Sequence, residues 1–277
     1  MTPVQDCCHI LAGAQLRIPQ PHDPFRVHTK GPMPAIGWRN APDDPDELAR
    51  YRWWIGHHLA FCVWRLLSER LASIANDQQT QPPSVAASIA MYDVYSVLLL
   101  YAGSCSPEVY LRTIRPAMVA ADPAFSGRWA RDYEAIPGLL RTIRRTRPAE
   151  LVAGLLAAAR TNQVVHMAMG KRLVHDGPSL LRQSDRGADQ RVTDRERNLF
   201  DEFFLVKRMH VSRAAFVAQL RALTSLVASD VAQRPLYGSA TTWDLPAVHA
   251  GLIGKLQRTA NTVLRDFLHL SLERPCG

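Results

Sequence analysis

The chain has 277 residues and a mass of 30.9 kDa, enough for one large domain or two small ones. Apolar residues make up 47% and charged residues 21%, a balance that excludes an intrinsically disordered chain. The longest uncharged apolar stretch, Val94 to Pro107, has 14 residues. A membrane span needs ~20, so no membrane role is expected.

The net charge is +8, and lysine accounts for only four of the 33 basic residues. A basic surface suits nucleic acid, an acidic partner, or a carboxylate-bearing substrate or cofactor. Its tightest cluster is Arg141, Arg144, Arg145 and Arg147. No aromatic residues interleave it and no DNA-reading motif surrounds it, so nucleic acid is not the expected partner. Cys7, Cys8, Cys62, Cys105 and Cys276 are irregularly spaced and indicate neither a disulfide framework nor a zinc site. Met1 to Leu16 has no basic region before its short apolar run, and Asp6 interrupts it. A cytoplasmic location with reduced thiols is therefore expected.

The first 45 residues carry 8 of the 19 prolines and no sustained periodicity. With Phe25, Ile36 and Trp38 to bury, they read as an extended arm that packs on a body or on a neighbouring subunit. Residues 46–277 read as one helical domain. Asp44 caps and Pro45 opens a helix to about Ala75, and Gln78 to Pro83 is a polar linker. A second helix spans Ser84 to about Tyr101. Ser106-Pro107 starts a third, which Pro116 kinks or stops, and Asp122-Pro123 and Pro137 open two more. Pro148 opens a long helix to His175, ended by Asp176-Gly177-Pro178, and Ser184 to Val192 is a polar loop. Thr193-Asp194 caps a helix through about His210, Ser212 restarts one toward Asp230, and the last runs from about Asp244 to Glu273. No alternating run predicts a strand. The expectation is an all-α bundle.

Gly-rich phosphate loops, HExxH, GxSxG and paired-carboxylate helix motifs are all absent. Histidine on apolar helices is what remains. Trp53 to Trp64 (WWIGHHLAFCVW) contains no formal charge, and a helix apolar all round is buried, so His57 and His58 are not both expected at the surface. On the long helix before Gly177, Leu155, Ala159, Asn162, His166, Met169 and Leu173 follow one face at spacings of three and four. Such a stripe is more often core than a cofactor site. A flat apolar cofactor such as haem does, however, need one neutral imidazole with small or flexible residues beside it.

At these residues the sequence resembles a family. His58-Leu59-Ala60-Phe61-Cys62-Val63-Trp64 resembles the distal-histidine helix of tryptophan 2,3-dioxygenase, with alanine at +2, an aromatic at +3 and tryptophan at +6. His166-Met167-Ala168-Met169-Gly170-Lys171-Arg172 resembles the proximal-haem helix of the same superfamily. Asp176-Gly177-Pro178-Ser179 with Leu181-Arg182 is similar to a shortened form of its Gly/Ser-rich substrate loop. The carboxylate-binding arginine of the dioxygenases has no counterpart ahead of Tyr101, where Leu98-Leu99-Leu100 stands. Over most of its length the chain is more similar to the histidine-ligated haem tyrosine hydroxylases of that superfamily. These open the pathway to the 4-alkylproline units of lincomycin-type and pyrrolobenzodiazepine antibiotics.

The resemblance implies a tryptophan-dioxygenase-like helical bundle with haem b between long helices. It implies hydroxylation of L-tyrosine to L-DOPA with hydrogen peroxide. His166 would be the axial ligand, with Asn162 and Met169 beside it and Arg172 on a haem propionate. His58 would face the distal pocket, either moving a proton of the peroxide or holding the substrate phenol, while His57, about 100° away on the helix, reads as a core histidine. Arg112, Arg115 and Ser179 are the candidates for binding the substrate's polar groups. In related dioxygenases the N-terminal segment reaches a neighbouring subunit, so a homodimer is expected. Two other readings remain open: a different haem aromatic oxygenase acting on an indole or tryptophan-type substrate, and a haem-free helical DNA-binding regulator.

Overall fold

Asp44 starts the helix that organises the molecule. Its carboxylate accepts the backbone N–H groups of Asp46 and Glu47, both at 3.0 Å, and Pro45 follows with its φ already helical. Helix α1 (Pro45–Asn76) then runs for 32 residues through the centre of the protein. In the computed structural model described here, residues 14–26, 37–76, 82–174, 179–184, 190–236 and 247–270 are the described residues.

Helix α2 (Pro82–Ala102) packs along α1, and two short helices follow, α3 (Pro107–Thr113) and α4 (Arg115–Ala121). Ser106 caps α3 by accepting the N–H of Val109, and Pro116 opens α4, so the expected break falls between the two. Helices α5 (Ile136–Thr146) and α6 (Ala149–Leu173) cover α1 and α2 respectively. After the single-turn α7 (Leu180–Gln183) comes α8 (Asp194–Phe203), held by a reciprocal cap between Thr193 and Glu196. Helices α9 (Arg213–Gln233) and α10 (Ala247–Leu270) close the bundle. The all-α architecture expected from the sequence is the one observed.

Among the described residues, two helices, α2 and α9, are long and apolar enough to cross a membrane. Of their most apolar stretches, 67% and 50% respectively is buried inside the bundle, so core packing accounts for that apolarity.

Three local expectations need correction. Asp122-Pro123 opens no α-helix: Asp122 ends α4 and its carboxylate accepts the N–H of Ala124, giving a turn and then a 3-10 turn at Gly127–Trp129. The helix from Thr193 stops at Phe203, because Leu205 takes a left-handed conformation (φ 53°). Two strands also exist. β1 (Leu16–Ile18) pairs in parallel with β2 (Val206–Arg208), Leu16 opposite Val206. Three-residue strands are too short to show a period, which is why no alternation signalled them.

The strand pair binds residues 14–26 to the chain's own body. Leu16 and Ile18 are fully buried. Arg65 on α1 donates to the carbonyls of Gln20, Pro21 and Asp23, and Phe25 rests on Phe216 with ring centres 4.8 Å apart.

Candidate active site

Trp53 and His57 stand one turn apart on α1, so their rings leave the same face. His57 Nδ1 lies 2.6 Å from the carbonyl oxygen of Trp53. A carbonyl only accepts, so the proton is assigned to Nδ1 and Nε2 keeps its lone pair. The imidazole is stacked on Phe204 (centres 4.2 Å apart, planes 15° apart) and touches the Trp53 ring at 4.5 Å. Trp53 in turn meets Tyr110 of α3 at 6.0 Å. Its indole N–H is buried and finds no acceptor among the described residues.

His57 is half-buried. Desolvation pushes its pKa down to about 4, against the hydrogen bond to Trp53, which raises it; the charges of His58 and His166 lower it further. His166 is solvent-exposed, not buried as the stripe on α6 suggested. The reason is geometric: α6 rests on α2 through Leu155, Asn162, Val165 and Met169, and His166 stands at the edge of that contact. Surrounding protein still lowers its pKa by desolvation. Within the described residues His166 makes no hydrogen bond.

His58 occupies a different environment. It has no exposed surface, and its Nε2 donates to the carbonyl oxygen of Phe204 at 2.5 Å. Desolvation pushes its pKa down to about 4, opposed by that bond, and its Nδ1 is buried without a partner among the described residues. Trp38 lies against it at 6.0 Å. The two neighbouring histidines thus differ in their surroundings, His57 among rings and half-buried, His58 fully buried against the Phe204 peptide. Tandem histidines on a helix diverge by about 100°, so only one can face a given recess.

The other expected site residues separate into bound and available groups. Arg172 donates to the carbonyls of Cys105 (2.9 Å) and Gly103, closing the C-terminus of α2, so its guanidinium is committed to backbone oxygens. Met169 is buried, with its Cε against Gly103 so closely that a Cβ there would lie 2.0 Å from it. Asn162 is buried and its amide donates to Ser96 Oγ at 3.1 Å, away from a role beside the imidazole. Arg112 is exposed and paired in a two-pronged contact with Asp46. Arg115 is half-buried, donates to Gln183 Oε1 at 3.0 Å, and stands beside the Tyr110 hydroxyl, whose pKa its charge and hydrogen bond lower against a dominant rise to about 12 from burial. Ser179 is the exposed N-cap residue of α7, and Asp176–Pro178 lie outside the described residues.

Phe204, His57, Trp53 and Tyr110 thus form a run of ring contacts, and Arg115 stands beside the Tyr110 hydroxyl at its end. Sequence reading missed Trp53, Tyr110 and Phe204 and assigned His57 to the core. The available signal was the i, i+4 spacing of Trp53 and His57; the contribution of Phe204 comes from a helix end 147 residues further on.

A run of ring contacts around a half-buried imidazole in an all-α bundle offers flat apolar surface to a planar group. Residues 4–161 match the SfmD 3-methyl-L-tyrosine peroxygenase family. The match covers more than half of the chain, and the chain belongs to that family of peroxide-using oxidoreductases. His57, His58, Trp53, Tyr110 and Arg115 lie inside the matched region, and His166 lies just beyond it. No curated protein matches the chain.

Proposed function

We propose that the protein is a haem-dependent peroxygenase that hydroxylates L-tyrosine at the 3-position to L-DOPA with hydrogen peroxide. The observation that carries this reading is the run of rings around His57 on α1 in a chain of peroxygenase family, with a second imidazole, His166 on α6, that makes no hydrogen bond among the described residues. The residues fit haem b. His166 makes no hydrogen bond among the described residues and would be its axial ligand, and Trp53 and Phe204, stacked about His57, offer flat apolar surface. The buried, unsatisfied indole N–H of Trp53 is a donor waiting for a ligand acceptor. When bound, haem supplies the oxidising power of the peroxide to the ring.

The chain's own groups have three tasks in this reading. An α1 histidine opposite His166 moves a proton between the two oxygens of the peroxide, for which a neutral imidazole is suited. The ring wall excludes water and holds the phenol edge-on. Arg115 receives the substrate carboxylate at the mouth. The resemblance noted above assigns this reaction to the route toward 4-alkylproline antibiotic units, and a cytoplasmic homodimer free of nucleic acid is the assembly it carries.

A second substrate is favoured by one observation. The matching family is named for 3-methyl-L-tyrosine, a phenol with one ortho position still open. The experiment supplies peroxide to the haem-loaded protein with L-tyrosine, 3-methyl-L-tyrosine or L-tryptophan and identifies products by mass. L-DOPA from L-tyrosine supports the proposal. A protein with no Soret band after haem supplementation overturns it, as does N-formylkynurenine from tryptophan without L-DOPA from tyrosine.

A further inference from the structure

We propose that Trp64, Tyr95 and Tyr133 form a one-electron relay from the ring cluster on α1 to the protein surface at Tyr133. Through it the protein would oxidise small phenols with peroxide, one electron at a time, as a second activity. The proposal rests on the haem reading above for its oxidant, and on ring geometry for its route.

Indole and phenol are among the side chains that give up one electron most readily, and rings in contact pass it between them without a diffusing carrier. Here the rings form a continuous series. Phe204, which lies on His57, meets Phe61 with centres 6.0 Å apart, and Phe61 meets Trp64 at 5.4 Å. Trp64 then makes edge contacts with tyrosines from two other elements: Tyr95 of α2 at 5.5 Å, with planes at 90°, and Tyr133, just before α5, at 5.8 Å. The two phenols are 6.0 Å apart. Edge-to-face pairs are ordinary core packing taken singly. What sets this series apart is its direction, because Phe61, Trp64 and Tyr95 are buried and Tyr133 is half-buried.

Exposure decides where a radical rests. A tyrosine radical persists once the phenolic proton has left with the electron. Burial holds the proton on both phenols. Only Tyr133 also reaches water that can take the proton when the ring is oxidised, so Tyr95 passes charge and Tyr133 stores it. The electrons balance over two rounds. In each, Tyr133 sends an electron through Trp64 toward the haem and a proton to water, and an external phenol restores both, leaving as a phenoxyl radical. Two such electrons and two protons reduce one hydrogen peroxide to two waters.

The route is tested first without haem. A laser flash at a wavelength that tryptophan absorbs and tyrosine does not, with a dissolved cobalt(III) ammine to take up the ejected electron, oxidises the indoles. A nitroso spin trap then marks tyrosyl radicals, and mass mapping locates them. The adduct should form on Tyr133 and be lost in Trp64→Phe, while labelling of Tyr110, which meets Trp53 instead, is unchanged. No adduct on Tyr133, or one that Trp64→Phe leaves intact, overturns the relay. In the haem-loaded protein, peroxide without an amino acid should mark the same tyrosine, and Tyr133→Phe should abolish that adduct and bleach the Soret band sooner. Haem-loaded protein that peroxide leaves unmarked at Tyr133 overturns the proposed activity. If the protein takes up no haem, the haem reading fails, and the flash arm still decides whether Trp64 feeds Tyr133.

Discussion

The peptide of Phe204 serves both tandem histidines: its carbonyl oxygen accepts the Nε2–H of His58 at 2.5 Å, and its ring lies flat on His57. The next residue, Leu205, is the one described non-glycine residue with positive φ, at 53°. That turn ends α8, directs the Phe204 carbonyl toward α1 and passes the chain into β2, whose pairing with β1 begins one residue later. A left-handed leucine costs ~1–2 kcal/mol. Here the strain is located where two helices and a strand meet, the kind of site at which such strain persists.

The two depressed histidines make the stability of the haem-free protein depend on pH. Both have folded-state pKa values of about 4, against an ordinary 6.5. Between those values the unfolded chain binds protons that the folded chain does not, so stability rises with pH across the window. It is fully present above about pH 6.5 and is lost as pH falls through 4, by up to roughly 3 kcal/mol per histidine. Thermal melts from pH 7.5 to pH 4.5 should show Tm falling, and His58→Asn should flatten the slope. A Tm independent of pH in that range counts against both buried neutral rings.

Most of the helices were legible because their ends are written locally. Asp44, Ser106, Thr193 and Ser212 each cap the helix their sequence context announces. The ring cluster around the tandem histidines was only half legible. Apolar runs around His57 and His58 marked α1 as buried, but burial on which side depends on Phe204, brought in by a strained turn that no propensity favours. The stripe on α6 likewise gave the right face for Leu155, Asn162 and Met169. It gave the wrong burial for His166, because the partner helix α2 covers that face only partly.

His166→Ala should lose stoichiometric haem, since it removes the only strong bond between iron and protein in the proposed site. Its exposed position predicts little structural damage, with substitution effects within about 0.5 kcal/mol at such surfaces. Pyridine haemochrome content and a thermal melt check the two halves together. Retained haem would remove His166 from the ligand role.

The buried pair Arg52–Asp230 holds α1 against α9 one residue before Trp53. The ions are 2.8 Å apart with 3% and 1% of their side chains exposed, and Arg52 also donates to Ser104 Oγ and the Arg234 carbonyl. Asp230→Ala leaves a buried guanidinium without its charge partner, which costs ~3–5 kcal/mol. Urea unfolding should register that loss. A change under 1 kcal/mol would mean that Ser104 and the Arg234 carbonyl satisfy Arg52 without the carboxylate.

Within the proposed reaction, L-phenylalanine should be a very poor substrate. A site that hydrogen-bonds a phenol discriminates by ~10⁴–10⁵ against the analogue lacking the hydroxyl, because the buried polar partner is then left unpaired. Competition between the two amino acids under limiting peroxide measures the ratio of kcat/KM directly. Comparable rates would show that the ring edge is held by shape alone.

The arginines of α3 and α4 separate by geometry. Arg112 is exposed and its guanidinium is taken up by Asp46, an arrangement that fixes the start of α1 against α3. Arg115 stands beside the Tyr110 hydroxyl, and Tyr110 touches Trp53, which touches His57. An amino acid whose ring lies along Phe204, Trp53 and Tyr110 would bring its carboxylate toward Arg115. A charge-assisted hydrogen bond is worth ~1.5–3 kcal/mol, so Arg115→Ala should raise KM for L-tyrosine roughly 10- to 150-fold with a smaller effect on kcat. Arg115→Lys should recover part of that loss, because a point charge replaces the fork. Arg112→Ala should instead act on Tm, by the ~0–1 kcal/mol of an exposed pair. A KM effect confined to Arg112 would reverse the assignment and set the substrate mouth at α3.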